Sequence, residues 1–264
     1  RFAPPLIGRM GKMYIGRPCA TAGILPGTTP QAAAAAAAMM PGRFALGLGS
    51  GEYLNEHVFG DRWPPAPVRI EMLEEAVEVI RLLWEGGVQN YYGAFYALEN
   101  AEIFSLPEVL PPIYIASEGP ISASLAARIG EGFINGGASA EESLIVFRKS
   151  GGDDKPAYQE VSVCWAESEE VGRMTAYEQW PIAANKGELN RILPTPAHYE
   201  QLATMVTLWD VTEDIPCGPD PERHIKKIEE GIRMGFDHIC VHQIGEQQQA
   251  FMEFYREEVL PHFQ

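Results

Sequence analysis

Positive charge is scarce in this 264-residue chain: 20 Lys and Arg stand against 36 Asp and Glu, a formal net charge of −16. A field of that sign repels phosphate backbones and anionic lipid surfaces, so neither nucleic acid nor a membrane is an expected partner. Cysteine is also sparse. Cys19, Cys164, Cys217 and Cys240 lack CxxC spacing, which suggests neither a zinc site nor a disulfide framework and fits the reducing cytoplasm. No apolar run reaches the roughly 18 residues a membrane span needs. The longest low-polarity stretch, Ala32–Met40, stops at Pro41-Gly42 and reads as a buried alanine-rich helix. Histidine supplies no catalytic pattern either, because no Ser-His-Asp or Cys-His arrangement can be assigned. His238 and His242 fall in one expected strand, about 13 Å apart on one face. They are too distant to share a metal and read as polar caps at the strand's ends. His57 follows the Glu52–Glu56 segment and could approach a ligand, a surface histidine being the simpler reading, and Cys217 reads as a packed loop thiol.

What the chain does contain is the balance of a globular fold, with 46% hydrophobic and 21% charged residues. Short runs rich in β-branched residues alternate with longer segments of helical period, the pattern of βα units around a parallel sheet. The fold class is therefore α/β. Strands are expected at Met13–Pro18, Arg43–Leu48, Ile113–Ser117, Phe133–Gly136, Val161–Ala166 and His238–His242, each buried on both faces. Helices are expected at Pro30–Met40, Arg69–Glu85, Ile121–Gly130, Ala140–Ser150 and Asp220–Met234. In the most regular, Ile70, Leu73, Val77, Ile80 and Trp84 form a core stripe, with Glu71, Glu74, Glu75, Glu78 and Arg81 on the wet side. Two stretches break the alternation: a hairpin excursion over 88–99 and an insertion over 167–219 interrupted by Pro181, Pro194 and Pro196. With no linker or internal repeat, residues 1–264 read as one embellished domain.

Two strand ends carry possible chemistry. Gly47-Leu48-Gly49-Ser50-Gly51-Glu52 follows a strand, where glycines let a ligand approach the backbone. It is not a dinucleotide fingerprint, since the third glycine is replaced by Glu52, and a plain turn is the competing reading. Ser50, Glu52 and Asn55 are available to a ligand there. The second, Ile115-Ala116-Ser117-Glu118-Gly119-Pro120, runs into a helix whose free N–H groups could take an anion. Its competing reading is an ordinary capped turn. Two such junctions in one βα protein favour a cofactor across the C-terminal face of a barrel.

The segment from Pro41-Gly42-Arg43-Phe44 through Gly49-Ser50-Gly51-Glu52 to Asn55-Glu56-His57 closely resembles the signature of coenzyme F420 (deazaflavin)-dependent oxidoreductases of the luciferase-like superfamily. The likeness is to the group related to glucose-6-phosphate dehydrogenase. Asp61-Arg62-Trp63-Pro64, Trp84-Glu85-Gly86-Gly87, Ala116–Pro120, Gly130-Glu131-Gly132-Phe133, Leu193-Pro194-Thr195-Pro196, Cys217-Gly218-Pro219-Asp220-Pro221 and Phe254–Pro261 follow in the family's order. The resemblance implies a TIM-type (β/α)8 barrel with insertions that binds F420 and acts as a homodimer on a small-molecule substrate. It implies cofactor-binding roles for Gly49, Ser50, Gly51, Glu52 and Asn55, with Glu52 as the catalytic acid near the reactive ring. Ala116, Ser117, Glu118, Gly119, Pro120 and Ile121 match the phosphate and tail segment. Gly16, Arg17 and Cys19 match the bulge behind the ring, although Gly16-Arg17-Pro18-Cys19 departs from the family's small apolar residues. No metal is implied.

Relatives begin with roughly sixty further residues, about two N-terminal βα units bearing a catalytic His and a Trp, so the sequence is expected to be a fragment. Members that act on sugar phosphates place a Lys soon after the Phe133–Gly136 strand, where this chain has Gly136-Gly137-Ala138-Ser139, which argues against glucose 6-phosphate. Lys186 and Arg191 are substitute anion ligands or, on the simpler reading, solvated side chains. Hydride transfer between F420 and a hydroxyl or reducible double bond is the expected activity. The alternatives are an FMN-dependent luciferase-like monooxygenase and a truncated, non-catalytic F420-binding or dimer-forming chain.

Overall fold

A computed structural model describes residues 13–15, 28–57, 60, 62–137, 139–185, 187 and 189–263. The elements run β1 (Met13–Ile15), α1 (Thr28–Met39), β2 (Phe44–Leu48), α2 (Tyr53–Glu56), α3 (Ala66–Trp84), an antiparallel hairpin of β3 (Gln89–Tyr92) and β4 (Ala97–Ala101), then β5 (Ile113–Ala116), α4 (Pro120–Ile129), β6 (Gly132–Asn135) and α5 (Ala140–Phe147). There follow β7 (Ala157–Val163), α6 (Glu169–Gln179), α7 (Leu189–Ile192), α8 (Pro196–Ala203), α9 (Leu208–Thr212), α10 (Pro221–Met234), β8 (His238–Gln243) and α11 (Gln248–Phe254). The main sheet has the order β1-β2-β5-β6-β7-β8, with every pairing parallel. Strand order that follows chain order, with helices crossing between neighbours, is the arrangement of a (β/α) barrel wall.

The two faces of this wall differ. Phe44, Leu46, Ile113, Ile115, Phe133 and Ala157 point to the helices and join Leu73, Val77 and Ile80 of α3, Leu125 of α4 and Phe147 of α5 in the main core. On the opposite, inner face Ala45, Tyr114 and Tyr158 form a separate cluster. The Tyr114 and Tyr158 rings lie 5.1 Å apart, and His238 stacks on Tyr158 at 4.2 Å. Period-2 alternation along β7 and β8 therefore sends Tyr158 and Ser162, His238 and His242 inward.

Three expectations need correction. The strand expected at Val161–Ala166 begins four residues earlier, at Ala157. Polar Gln159 concealed its start, but that side chain is buried against α10, where a Cβ on Gly231 would come within 2.3 Å of Gln159 Oε1. Burial on both faces holds for β2, all of whose residues are buried, and fails for β8, where only Gln243 is. Glu75, expected on the wet side of α3, is buried: its carboxylate accepts backbone N–H groups from Ala94, Phe95 and Tyr96 at 2.8–3.1 Å. It ties the hairpin's turn to α3, and Gly93 is needed there because a Cβ would meet Glu75 Oε1 at 2.1 Å.

Boundaries elsewhere follow local chemistry. Asp220 caps α10 by accepting from Glu222 N, and Gly235, with φ of +100°, ends it. Pro181 opens a short 3-10 turn and Pro196 opens α8, so these two prolines start helical pieces, while Pro194 lies in the link between α7 and α8. Among the described residues no helix is long and apolar enough to cross a membrane.

Candidate functional site

The strands' C-terminal ends gather the candidate residues. After β2 the chain turns sharply at Gly51, whose φ is +84°. A Cβ there would lie 1.8 Å from Glu56 Oε1 and 3.3 Å from Trp63, so this turn accepts only glycine. Glu52 sits half-buried as the extended residue before α2, and Asn55 Nδ2, itself exposed, donates to Glu52 Oε2 at 3.0 Å. His57 is half-buried and its Nδ1 donates to Tyr53 O at 3.0 Å. Beneath the loop lies Glu56, only 4% exposed, a buried carboxylate that sequence reasoning passed over. Its neighbour Tyr53 stacks on Trp63 at 5.4 Å, and the Arg69 guanidinium lies 4.2 Å over the same indole.

The β5–α4 junction is built from hydroxyls and glycine. Ser117 is buried, and its Oγ donates to Gly119 O at 3.1 Å while meeting Ser122 Oγ at 2.7 Å. Its hydroxyl thus shapes the loop. Asn135 at the end of β6 donates to Ser117 O at 2.7 Å and accepts from Gly137 N, locking the two neighbouring strand ends together. Gly119 precedes α4 with no side-chain cap, and a Cβ there would meet nothing within 4 Å. Pro120 occupies the first turn and Ile121 is 70% exposed. Beside them a cavity of about 380 Å³ is lined by Ile70, Pro120, Ile121, Ser124, Leu125 and Arg128. The first turn of α4 therefore presents backbone N–H groups to open space, the arrangement suited to an anion.

The insertion closes over both loops. α7 packs against α2, and from the same short helix Arg191 pairs with the Glu118 carboxylate. Ser139 Oγ donates to Glu118 O. Tyr199 of α8 donates to Asn190 O at 2.7 Å, and its phenol is pushed up by burial and then by the charge of Glu52. Arg191, left by the sequence between anion ligand and solvated side chain, is thus an ion-pair partner of the β5 loop. Gly16, Arg17, Cys19, Ala138 and Lys186 lie outside the described residues. Cys164 and Cys217 are buried neighbours across an isolated bridge, with burial pushing their thiols up to about 11 and about 12. They are packing groups, as Cys217 was read. Among the described residues no cluster of His, Cys, Asp or Glu could hold a metal ion.

The profile of the luciferase-like monooxygenase family matches residues 21–238. The chain is 34% identical to the F420-dependent glucose-6-phosphate dehydrogenase of Microbacterium testaceum, over 89% of this chain and 73% of that relative. It is similar in structure to an F420-dependent secondary alcohol dehydrogenase in complex with an F420-acetone adduct, with a TM-score of 0.79 and 23% identity over 89% of this chain and 74% of that one. The coenzyme F420 dependent tetrahydromethanopterin reductase from Methanopyrus kandleri follows, with a TM-score of 0.74 and 20% identity over 91% and 80% of the two chains. The two structural likenesses concern the fold.

Proposed function

The chain belongs to the luciferase-like monooxygenase family, and we propose that it transfers a hydride between coenzyme F420 and a small organic substrate bearing a hydroxyl or a reducible double bond. It is an F420-dependent oxidoreductase like the relatives it resembles in sequence. The observation that carries the site assignment is the meeting of two glycine-bearing strand ends beneath α7. Gly49, Ser50, Gly51, Glu52 and Asn55 would hold the ring side of the cofactor, and Ala116–Ile121 its phosphate and tail. Gly16, Arg17 and Cys19 remain the proposed third segment.

The residues present fit such a group. Gly119 leaves open space before α4, and uncapped amides there suit a phosphodiester. Arg191 offsets the one feature that opposes an anion, the Glu118 carboxylate. F420, when bound, supplies a two-electron hydride acceptor and donor. The chain's part is to orient, to exclude water and to manage charge. Glu52, half-buried and hydrogen-bonded by Asn55, would hold charge or a proton toward the ring. α7 packs on α2 and pairs with Glu118, a position from which the insertion would shield a bound cofactor from water. The residues Gly136-Gly137-Ala138-Ser139 after β6 place no cation for a sugar phosphate, so the substrate is read as an uncharged alcohol or alkene. We read the described sheet as part of an eight-stranded barrel in one domain, working as a cytoplasmic homodimer.

Titrating the protein with F420 and separately with FMN, followed by tryptophan fluorescence, tests the cofactor. Saturable binding of F420 alone is expected; preferential FMN binding would replace this reading with a flavin monooxygenase. Glu52→Gln is expected to lower turnover by about 10²–10⁴-fold, the range of a lost acid–base group, with F420 affinity nearly kept. Unchanged turnover would remove Glu52 from the chemistry.

A further inference from the structure

The inner face of the barrel wall carries a polar group that none of the preceding roles uses. The chain has six histidines, and five are committed elsewhere. His57 donates to Tyr53 O, and His198 pairs with Thr195 Oγ1. His224 is buried between Gly218 O and Tyr255 Oη, and His262 faces Glu229. His238 stacks on Tyr158 at the start of β8, the end of the barrel remote from the cofactor loops. His242 differs. It lies one residue before β8 ends, on the inner face shared with Tyr158 and Ser162, and thus at the rim where barrel enzymes bind substrate.

Its surroundings fix the ring without occupying it. Ser162, its register partner on β7, lies 3.4 Å from Nδ1. Trp180 of the insertion meets the imidazole edge-on at 5.0 Å and 63°. The next residue, Gln243, is clamped to the Trp165 backbone through both N–H and C=O at 2.8 and 2.9 Å, so the strand end cannot drift. Nε2 makes no hydrogen bond among the described residues. The segment that brings Trp180 to the ring continues through Pro181–Ala184 to α7, which packs against α2 next to Glu52. One insertion therefore roofs the rim from the Glu52 loop to His242.

We infer that His242 is a substrate-contacting, specificity-determining residue whose Nε2 hydrogen-bonds the oxygen of a neutral alcohol or ketone, with Ser162 orienting the ring and Trp180 flanking the substrate's carbon skeleton. The inference deepens the hydride-transfer reading and rests on it. An imidazole and an indole at the rim select an uncharged oxygen beside an apolar group.

The test uses the F420-bound protein labelled with 15N-histidine and titrated with cyclohexanone, a neutral ketone. A saturable shift confined to the His242 Nε2 resonance is expected. Cyclohexanone should bind about tenfold more weakly to His242→Ala, the scale of one lost hydrogen bond. His242→Gln, which can still donate an N–H, should recover most of that affinity, and Ser162→Ala should show a smaller loss. F420 affinity and the unfolding temperature should stay at wild-type values in the Gln variant. Equal cyclohexanone affinity in His242→Ala and wild type, with F420 still bound, overturns the role of His242 alone. Failure of the wild-type F420 complex to bind cyclohexanone overturns the substrate class, and failure to bind F420 overturns the parent reading and this inference together.

Discussion

From β5 to β7 the chain buries Ile113, Ile115, Phe133, Phe147 and Ala157 almost completely, whereas the outer insertion, α7 and α8, buries no residue. The first region is held by apolar surface removed from water. The second is held by polar contacts: Arg191 to Glu118, Tyr199 to Asn190, and Asn185 to Asn190. Only the insertion's root, where Ala176 and Val211 pack on Cys164 and Cys217, has a core of its own. The contrast assigns different tasks. Packed strands hold the glycine loops in a fixed geometry, while a cover tied to those loops by the Arg191–Glu118 pair and the packing of α7 on α2 can open at low free-energy cost to admit ligands.

The largest expected effect lies in the packed region. Phe133 is fully buried, with Phe147 at 4.8 Å and Phe236 at 6.2 Å between ring centroids. Phe133→Ala should destabilise the fold by about 3–5 kcal/mol through lost transfer energy and the cavity left behind. Leu189→Ala in α7, at a side chain 42% exposed, should stay within about 0.5 kcal/mol. Urea unfolding of both variants reads the contrast. Comparable losses would erase the distinction between wall and cover.

An intermediate effect is expected where the insertion returns to the barrel. His224 is fully buried, its Nε2 donating to Gly218 O and its Nδ1 accepting from Tyr255 Oη, both at 3.0 Å. Burial holds this imidazole below its usual range, outweighing the Gly218 carbonyl that favours the charged form. The unfolded chain then takes up the proton first, near pH 6.5, so the stabilisation from neutral His224 is fully present above that pH. It is lost as pH falls through the lower folded value. His224→Gln keeps the donor to Gly218 but leaves the Tyr255 hydroxyl without its acceptor, at a cost of about 1–3 kcal/mol at pH 7.5. The variant should also lose less stability than wild type between pH 7.5 and 5. Parallel pH profiles would show that His224 does not titrate with unfolding.

Much of the packed region was legible because its signals are local. The apolar runs of β2 and β5, the stripe of α3 and the Asp220 and Gly235 ends of α10 all announce themselves within a few residues. What misled were polar residues buried by distant partners: Gln159 against Gly231, and Glu75 against the hairpin amides some twenty positions on. The candidate site divides in the same way. Its glycine loops carry contiguous motifs, and the turn at Gly51 follows from them. Glu56 beneath Gly51 and His242 at the rim carry no motif; only the fold shows which face each side chain takes. Arg191 reaches a carboxylate 73 positions away, a pairing that no spacing rule contains.

That pairing supplies the smallest expected effect on stability and the sharpest test of the cover. The side chains of Arg191 and Glu118 are 30% and 48% exposed, and pairs so wet contribute about 0–1 kcal/mol. Arg191→Gln should therefore leave the unfolding temperature within about 2–4 °C of wild type, the shift that 1 kcal/mol gives in a domain of this size. Its effect on ligand should be larger, because Glu118 would then stand uncompensated beside the first turn of α4. A carboxylate near a bound phosphate costs on the order of 1 kcal/mol in a watery setting. F420 affinity should accordingly fall by about fivefold in Arg191→Gln, and more steeply at low salt than at high. Adding Glu118→Gln should restore it, because the double variant removes both the cation and the carboxylate it offsets. A single variant that binds F420 as wild type does, at every salt concentration, would show that Arg191 merely decorates the cover. Restoration by the second substitution would show instead that the ion pair between α7 and the β5 loop tunes the anion site of the packed wall.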